Sequence, residues 1–450
     1  MSNLFSHSTS PAFTRQAIDE YFIQPMFMAE DIRGIITVRT DVKGTERLNR
    51  IARPSFLTKP KDVPGFTPTG SFALSYKDIT VHPMALEFEQ NARAFWGSIV
   101  EQLLASGYKE DDVEQMKSPD VWNKIMLPLI AQAGQDDLIR QMFFANPAAE
   151  ILSSGIATGV ADPDYSGYTG FMTWLMNDLF AGTIPSGQHV VIASSTSAVK
   201  QESMQTFTYG ATTTKIGITI NGVLYEENYA SSATVTANNW LASHKAAIES
   251  RGGINGVIVT NPSAGAIKIV SRYKGGKFSV SATATGGGSF AESGVVATVA
   301  RGGLAANEAD TTLEYMLDAV TPEMHEFDLA FMLTASMWRN LVHTMKNRTT
   351  GLGDTVLKNG FKVPTYEGIP IVVRPDWDKW ITLAHAGIQP HRALLTTSKN
   401  LLFATDGTGD SEMVETWYNQ EAQMRRYRVQ YKAQTAYIHK ELLVLAGFGD

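Results

Sequence analysis

The sequence has 450 residues, a length that points to two or three domains, and 44% of them are hydrophobic, enough for a sizeable core. Cysteine is absent, which excludes disulfide staples, thiolate metal sites and cysteine nucleophiles, and weakens a reading as an extracellular receptor. The formal charge of -7 is mild and lacks the basic excess of a protein built to grip nucleic acid. No run approaches the roughly 18–20 apolar residues of a membrane span. Met1–His7 shows no basic start followed by an apolar stretch, so no secretory signal is predicted and synthesis and use in the cytoplasm are expected.

Residues 1–30 are polar and mixed, with Pro11 and Pro25, and read as an arm lying against something else. Residues 31–82 read as two extended runs around a long excursion. The first run is Ile35–Thr40; the second is Phe72–Tyr76, continuing through Ile79–Val81. Between Lys43 and Lys61 lie six basic residues (Lys43, Arg47, Arg50, Arg53, Lys59, Lys61) against one acid, Glu46. A solvated loop explains them, and so does a basic arm reaching an acidic neighbour; a loop this long in a compact domain favours ordering by a partner.

Residues 84–106 carry an apolar stripe (Phe88, Ala92, Phe95, Trp96, Ile99, Leu103) at helical spacing. A second helical pattern opens at Ser118 and Pro119 and runs through Leu138, Met142 and Phe143, with a kink or a break expected from Pro128 and Gly134 inside it. Residues 168–182 give a third helix. From 188 to 303 the composition shifts to Ser, Thr, Ala, Gly and Val. Strands are predicted at Val190–Ile192, Ile216–Ile220, Gly256–Thr260, Ile267–Val270 and Phe278–Ser281. Asn221-Gly222 is the strongest hairpin signal in the chain. One helix, 236–250, carries an inner stripe of Trp240, Leu241, His244 and Ile248. This stretch reads as an inserted small α/β domain whose ends lie close together. After it, Asp310 is expected to cap a helix over 311–320, and Thr334 or Ser336 one over 337–345. A strand at Ile369–Val373, the run Ala393–Leu395 and closing strands at 426–436 and 441–446 follow.

A search for chemistry returns little. None of the nine histidines is spaced as a metal ligand pair. His385 and His391 lie near Asp376 and Asp378 in sequence, but loop histidines and surface carboxylates account for them equally well. The glycine clusters at 275–276, 286–288 and 302–303 lack a phosphate-loop lysine, and no nucleophile elbow occurs. The expectation is therefore no catalytic residue, no cofactor and no metal.

The organisation resembles the major capsid proteins of tailed bacteriophages, the shell fold shared with herpesvirus capsid floors and encapsulin nanocompartments. The likeness rests on the order of Leu333-Thr334-Ala335-Ser336-Met337-Trp338, the strand Tyr366–Val373, Ala393–Thr396, the turn Lys399-Asn400-Leu401, the charged strand Arg425–Lys432 and Glu441–Val444. It covers about two thirds of the chain, leaving out 188–303. The resemblance implies an α+β fold with an N-terminal arm (1–30), an extended loop (31–82) and a peripheral domain with a spine helix (83–150). It also implies an axial domain (151–187 and 304–390), an inserted strand-rich domain (188–303) and C-terminal strands (391–450). Function would be structural, not enzymatic: self-assembly as hexamers and pentamers into an icosahedral shell around double-stranded DNA, with no sequence-specific binding and no membrane. Scaffolding, portal and decoration proteins would be the partners, the virion the final location and the bacterial host's cytoplasm the place of assembly. An arm of about 30 residues is too short for a fused scaffold, so a separate scaffold or none is expected. Some relatives crosslink through a loop lysine; Lys43, Lys59 and Lys61 lie in the right loop, with no asparagine or carboxylate to match. The rival readings are an encapsulin-like nanocompartment shell, a surface adhesin or S-layer protein, and a hydrolase for which no residue speaks.

Overall fold

In a computed structural model of the chain, the residues described are 34–40, 42–52, 73–90, 127–194, 196–347, 355–358, 361–384, 390–398, 400–406, 414–419, 421 and 424–448. The arm at 1–30, most of the stripe at 91–106 and the helix start at Ser118 lie outside them. The described residues fall into two compact units, one built from 37–137 with 401–438, the other from 34–36 and 138–400 with 439–448. Both mix helices and sheets, an α+β architecture.

The first strands are β1 (Ile36–Arg39), β2 (Thr45–Ala52), β3 (Ala73–Thr80) and β4 (His82–Gln90). β2 and β3 pair antiparallel along their full length, from Thr45 opposite Thr80 to Ala52 opposite Ala73, and form a two-stranded sheet of their own. β2 was expected as part of a basic loop; Thr45, Arg47 and Asn49 are exposed while Glu46 and Leu48 are half-buried, the alternation of a ribbon with one face packed at its base. β4 corrects a second expectation, since 84–90 is strand where a helix was predicted to begin. Met84, Leu86 and Phe88 are half-buried while Ala85, Glu87 and Glu89 are exposed, a period of two.

Helix α1 (Leu127–Phe144) passes through Pro128 and Gly134 without interruption. The break expected there does not occur. The hairpin β5 (Glu150–Ser153) and β6 (Ile156–Ala161), then helix α2 (Phe171–Phe180), lead to the short β7 (His189–Val190). The strand predicted over 190–192 ends at Val190.

Two isolated antiparallel bridges, Ser194 with Leu304 and Val199 with Val299, bring the two chain passages together as a neck. Between them lie β8 (Glu202–Thr208), β9 (Lys215–Ile220), β10 (Val223–Asn228), α3 (Ala233–Glu249), β11 (Val257–Thr260), β12 (Ala266–Ser271), β13 (Val280–Thr285) and β14 (Ser289–Val296). They form sheets ordered β10-β9-β13 and β11-β12-β8-β14. Asn221 and Gly222 both adopt positive φ, 49° and 76°, the type I′ geometry that suits the twist of two paired strands. Ser232 caps α3 by accepting from the Val235 N–H at 3.2 Å. Trp240 is fully buried in a core with Ile218, Val259, Ile269 and Phe278, and its Nε1–H donates to the Tyr225 carbonyl at 3.0 Å.

Beyond the neck, α4 (Glu308–Asp318) starts earlier than expected because Asn307 turns the chain at φ 65°. Asp310 sits in the first turn rather than at the cap, accepting from the Tyr366 hydroxyl at 3.1 Å. β15 (Leu329–Thr334), α5 (Ala335–Asn347), β16 (Thr355–Lys358), β17 (Phe361–Tyr366), β18 (Ile369–Arg374), α6 (Pro375–Ala384) and β19 (Ala393–Thr397) follow. With the terminal strand β23 (Leu443–Ala446) they build a seven-stranded sheet ordered β16-β17-β18-β15-β19-β23-β7. β19 and β23 are buried at every residue, as strands covered on both faces must be. Phe331, Leu333, Leu395 and Val444 pack there with Leu313, Met316 and Leu341 of α4 and α5.

The remaining strands, β20 (Leu401–Thr405), β21 (Val414–Asn419) and β22 (Met424–Tyr437), complete the first unit. Its five-stranded sheet runs β1-β20-β22-β21, with β4 also paired to β22. Phe88 stacks on Tyr427 with ring centroids 4.5 Å apart, and Arg428 and Arg426 meet Glu87 and Glu89 at 2.6 and 3.1 Å across the same pair of strands. These exposed pairs fix register more than they stabilise.

Candidate functional site

Three places gather polar side chains that could carry function. The first is the β2–β3 ribbon. Arg47 donates Nε and Nη2 to the two Asp78 carboxylate oxygens at 2.7 and 2.9 Å, and its guanidinium lies 4.0 Å from the Tyr76 ring centroid. The hydrogen bonds to Arg47 hold the Asp78 carboxyl below its ordinary range. Tyr76 is 62% exposed, so this cation–aromatic stack presents a flat face to solvent. At the base, Lys77 donates to the Tyr437 carbonyl at 3.1 Å, and Ile79 enters a small core with Val42, Leu402 and Ala436. Of the loop cations, Lys43 and Arg47 are described and exposed, whereas Arg53, Lys59 and Lys61 lie outside the described residues.

The second is a cavity of about 370 Å³ lined by Arg140, Glu150, Asp162, Tyr165, Asn255 and Trp380 among others. The Arg140 guanidinium lies 5.2 Å from the Tyr165 ring and 5.5 Å from that of Trp380. Burial pushes the Tyr165 phenol up, which keeps it protonated and useless as a base. The buried Asn255 Oδ1 meets no protein donor, and a cavity this roomy accommodates water against it. On its wall, Arg251 reaches both Glu150 oxygens at 2.9 and 3.2 Å and the Tyr225 hydroxyl at 2.5 Å, while the Gly159 N–H donates to Glu150 Oε2 at 2.7 Å. The inserted β10 and α3 end are thereby clamped to the β5–β6 hairpin.

The third joins Asp378 and His391, which lie near one another in sequence, to Ser336, which does not. Ser336 Oγ lies 3.0 Å from Asp378 Oδ1 and 2.8 Å from His391 Nδ1, and Arg339 lies 3.3 Å from Asp378. Asp376 pairs instead with Arg374 at 2.8 Å, and His385 lies outside the described residues. A serine, a histidine and an aspartate in contact suggest a nucleophile, but the order is wrong. The hydroxyl has one proton, which goes to the Asp378 carboxylate, so it can only accept from His391 Nδ1–H. The aspartate does not orient the histidine, and the histidine, donating to the hydroxyl, cannot take its proton. The cluster ties the start of α5 to α6 and to the approach of β19. Among the described residues no three His, Asp or Glu side chains converge as a metal site.

Burial, with the Arg301 charge, pushes His391 down to about 4. The unfolded chain then binds this proton below about pH 6.5 while the native chain resists it. Stability is expected to fall as pH drops from about 6.5 towards 4, at no more than about 1.4 kcal/mol per pH unit. Urea unfolding at a series of pH values should show that slope, and His391→Gln should flatten it.

No family model matches this chain, and no curated protein matches its sequence. Among solved structures, the satellite phage P4 procapsid with its size determination protein superposes with a TM-score of 0.40 at 11% identity, covering 94% of this chain and 97% of that one. The cyanophage A-1(L) capsid gives 0.40 at 9% identity, covering 100% and 99%. An encapsulin complex from Synechococcus elongatus gives 0.38 at 9% identity, covering 94% and 89%. Superpositions this loose leave the reading of the chain to its own residues.

Proposed function

We propose that this chain is a shell subunit, the major capsid protein of a tailed bacteriophage, acting by self-assembly and not by catalysis. The observation that carries the reading is the β2–β3 ribbon. Among the described residues its two eight-residue strands pair only with each other, exposing Arg47, Tyr76 and Asp78. A two-stranded ribbon is marginal in water; Leu48, Lys77 and Ile79 anchor this one at its base, and the length beyond them calls for a neighbouring molecule to cover it. That neighbour is another copy of the chain, in keeping with the sequence order that resembles the capsid family. On this reading residues 1–30 are the arm, 31–82 the extended loop, 83–150 the peripheral domain, 151–187 with 304–390 the axial domain, 188–303 the insertion and 391–450 the returning strands. Hexamers and pentamers enclose double-stranded DNA, with scaffold, portal and decoration proteins as partners, and assembly takes place in the host cytoplasm. Negative-stain microscopy of the purified chain, alone and with its genomic neighbours, is expected to show capsomers or closed shells. A monodisperse monomer in both samples would sink the proposal.

A further inference from the structure

The charge of the chain is unevenly divided. Residues 194–304 hold nine Lys and Arg against five Glu and no Asp, while the rest of the chain holds twenty-nine basic residues against forty acidic ones. The basic excess has a place. The Gly275 N–H donates to the Val199 carbonyl at 3.0 Å, which folds the turn carrying Lys274 and Lys277 against Lys200 at the neck. Glu202, the nearest acid, is taken by Lys268 at 2.6 Å. None of Lys200, Lys274 and Lys277 has an ion pair among the described residues. Burial and the Lys274 charge push the Lys200 ammonium down, against the smaller opposing pull of Glu202. Val199 and Val299, bridged to each other at the neck beside Lys200, are left 38% and 37% exposed.

The opposite surface lies in the same unit. Residues 305–338 contain seven acids and no Lys or Arg. Glu314, Asp318, Glu323, Glu326 and Asp328 are exposed, and none has an ion pair among the described residues. Two bare aromatics sit among them, Tyr315 at 57% and Phe327 at 47% exposed. Helix α4 starts at the neck, where Glu308 accepts from the Ala193 N–H at 2.7 Å. Its eleven residues run about 16 Å from there, with Glu314 and Asp318 on its second half and Glu323, Glu326 and Asp328 beyond its end. Among the described residues no ion pair joins these two patches of opposite charge within the chain.

We propose that they meet between chains: the lysine and valine face at the neck of one copy docks on the acidic, aromatic face at 314–328 of the next. The contact is head-to-tail, so each copy offers one face and receives on the other, and a fixed rotation between copies closes a ring. The argument rests on charge complementarity, which sets register and speeds encounter, with the valines and aromatics supplying the apolar centre. It deepens the shell reading and rests on it for the second copy as occupant.

The test is paired charge reversal on the full chain, read by sedimentation velocity over a salt series. Lys274→Glu with Lys277→Glu, and separately Glu314→Lys with Asp318→Lys, are each expected to weaken self-association at least roughly tenfold. The variant carrying all four changes should regain it, a recovery that general damage to folding would not produce. The inference is overturned if either pair leaves association unchanged, or if the fourfold variant is no better than the pairs. Retention of duplex DNA that is lost only with the lysines, without rescue, would overturn it in favour of a polyanion at the neck. Closed shells from the reversed variants would sink this contact and leave the shell reading standing. Salt-sensitive rings that never close into shells would do the reverse.

Discussion

Trp240→Ala is expected to cost about 4 kcal/mol and to unfold the inserted domain ahead of the rest of its unit. Trp240 is the largest fully buried side chain of that domain, and truncation removes its packing against Ile218, Val259 and Ile269. It also orphans the Tyr225 carbonyl that accepts the indole N–H. Its neighbours belong to two sheets and a helix that share one core, so the cavity has no element free to collapse into it. The seven-stranded sheet has a separate core around Phe331 and Leu395 and should survive. Limited proteolysis is the direct reading: cuts confined to 200–298, with the flanking fragments intact, are the expected result. Cleavage spread evenly along the chain would show that the two cores melt as one.

Glu150→Ala is the second large effect, expected at about 3 kcal/mol. The carboxylate is almost wholly buried, holds Arg251 through both oxygens and accepts the Gly159 N–H. Removing it leaves a guanidinium facing the Tyr225 hydroxyl alone and an amide without an acceptor. Most of the cost is the stranded charge, so Arg251→Met in the same chain should recover part of the loss. Glu150→Gln, which keeps an acceptor, should cost less than Glu150→Ala. Hydrogen exchange should localise the damage to 150–161 and 223–228. Equal protection in the parent and in Glu150→Ala would show the clamp to be without energetic weight.

What the sequence discloses depends on how local the cause is. The Asn221-Gly222 turn, the 171–180 helix and the Trp240 and Ile248 stripe are set by residues within a few positions of one another, and all three were legible. β4 was misread because Phe88 stands at helical spacing from Ala92 and Phe95, although Leu86 and Phe88 alternate with Glu87 and Glu89. Its strand character comes from β22, more than 330 residues away, where Arg428 and Arg426 answer those acids. β2 has no apolar alternation to announce it; its partner β3 supplies Asp78 for Arg47 and Thr80 for Thr45. The third polar cluster was half visible, since Asp378 and His391 were grouped by proximity in sequence while Ser336, 55 residues upstream of His391, was not. The Glu150–Arg251 clamp spans 101 positions and has no local signature.

The paired neck also bears on the order in which the chain can fold. As an unstructured segment, the stretch between Val199 and Val299 is a loop of about 100 residues, and closing it costs about 4 kcal/mol of chain entropy. β7 on one side of that loop must find β23 in the sheet whose other strands come from the far side. If the insertion folds first, its two ends stand opposite each other at cross-strand distance, and to the rest of the unit the loop is then no longer than a turn. The inserted domain would thus act as a folding nucleus for the sheet that carries it, shortening the search its own length imposes.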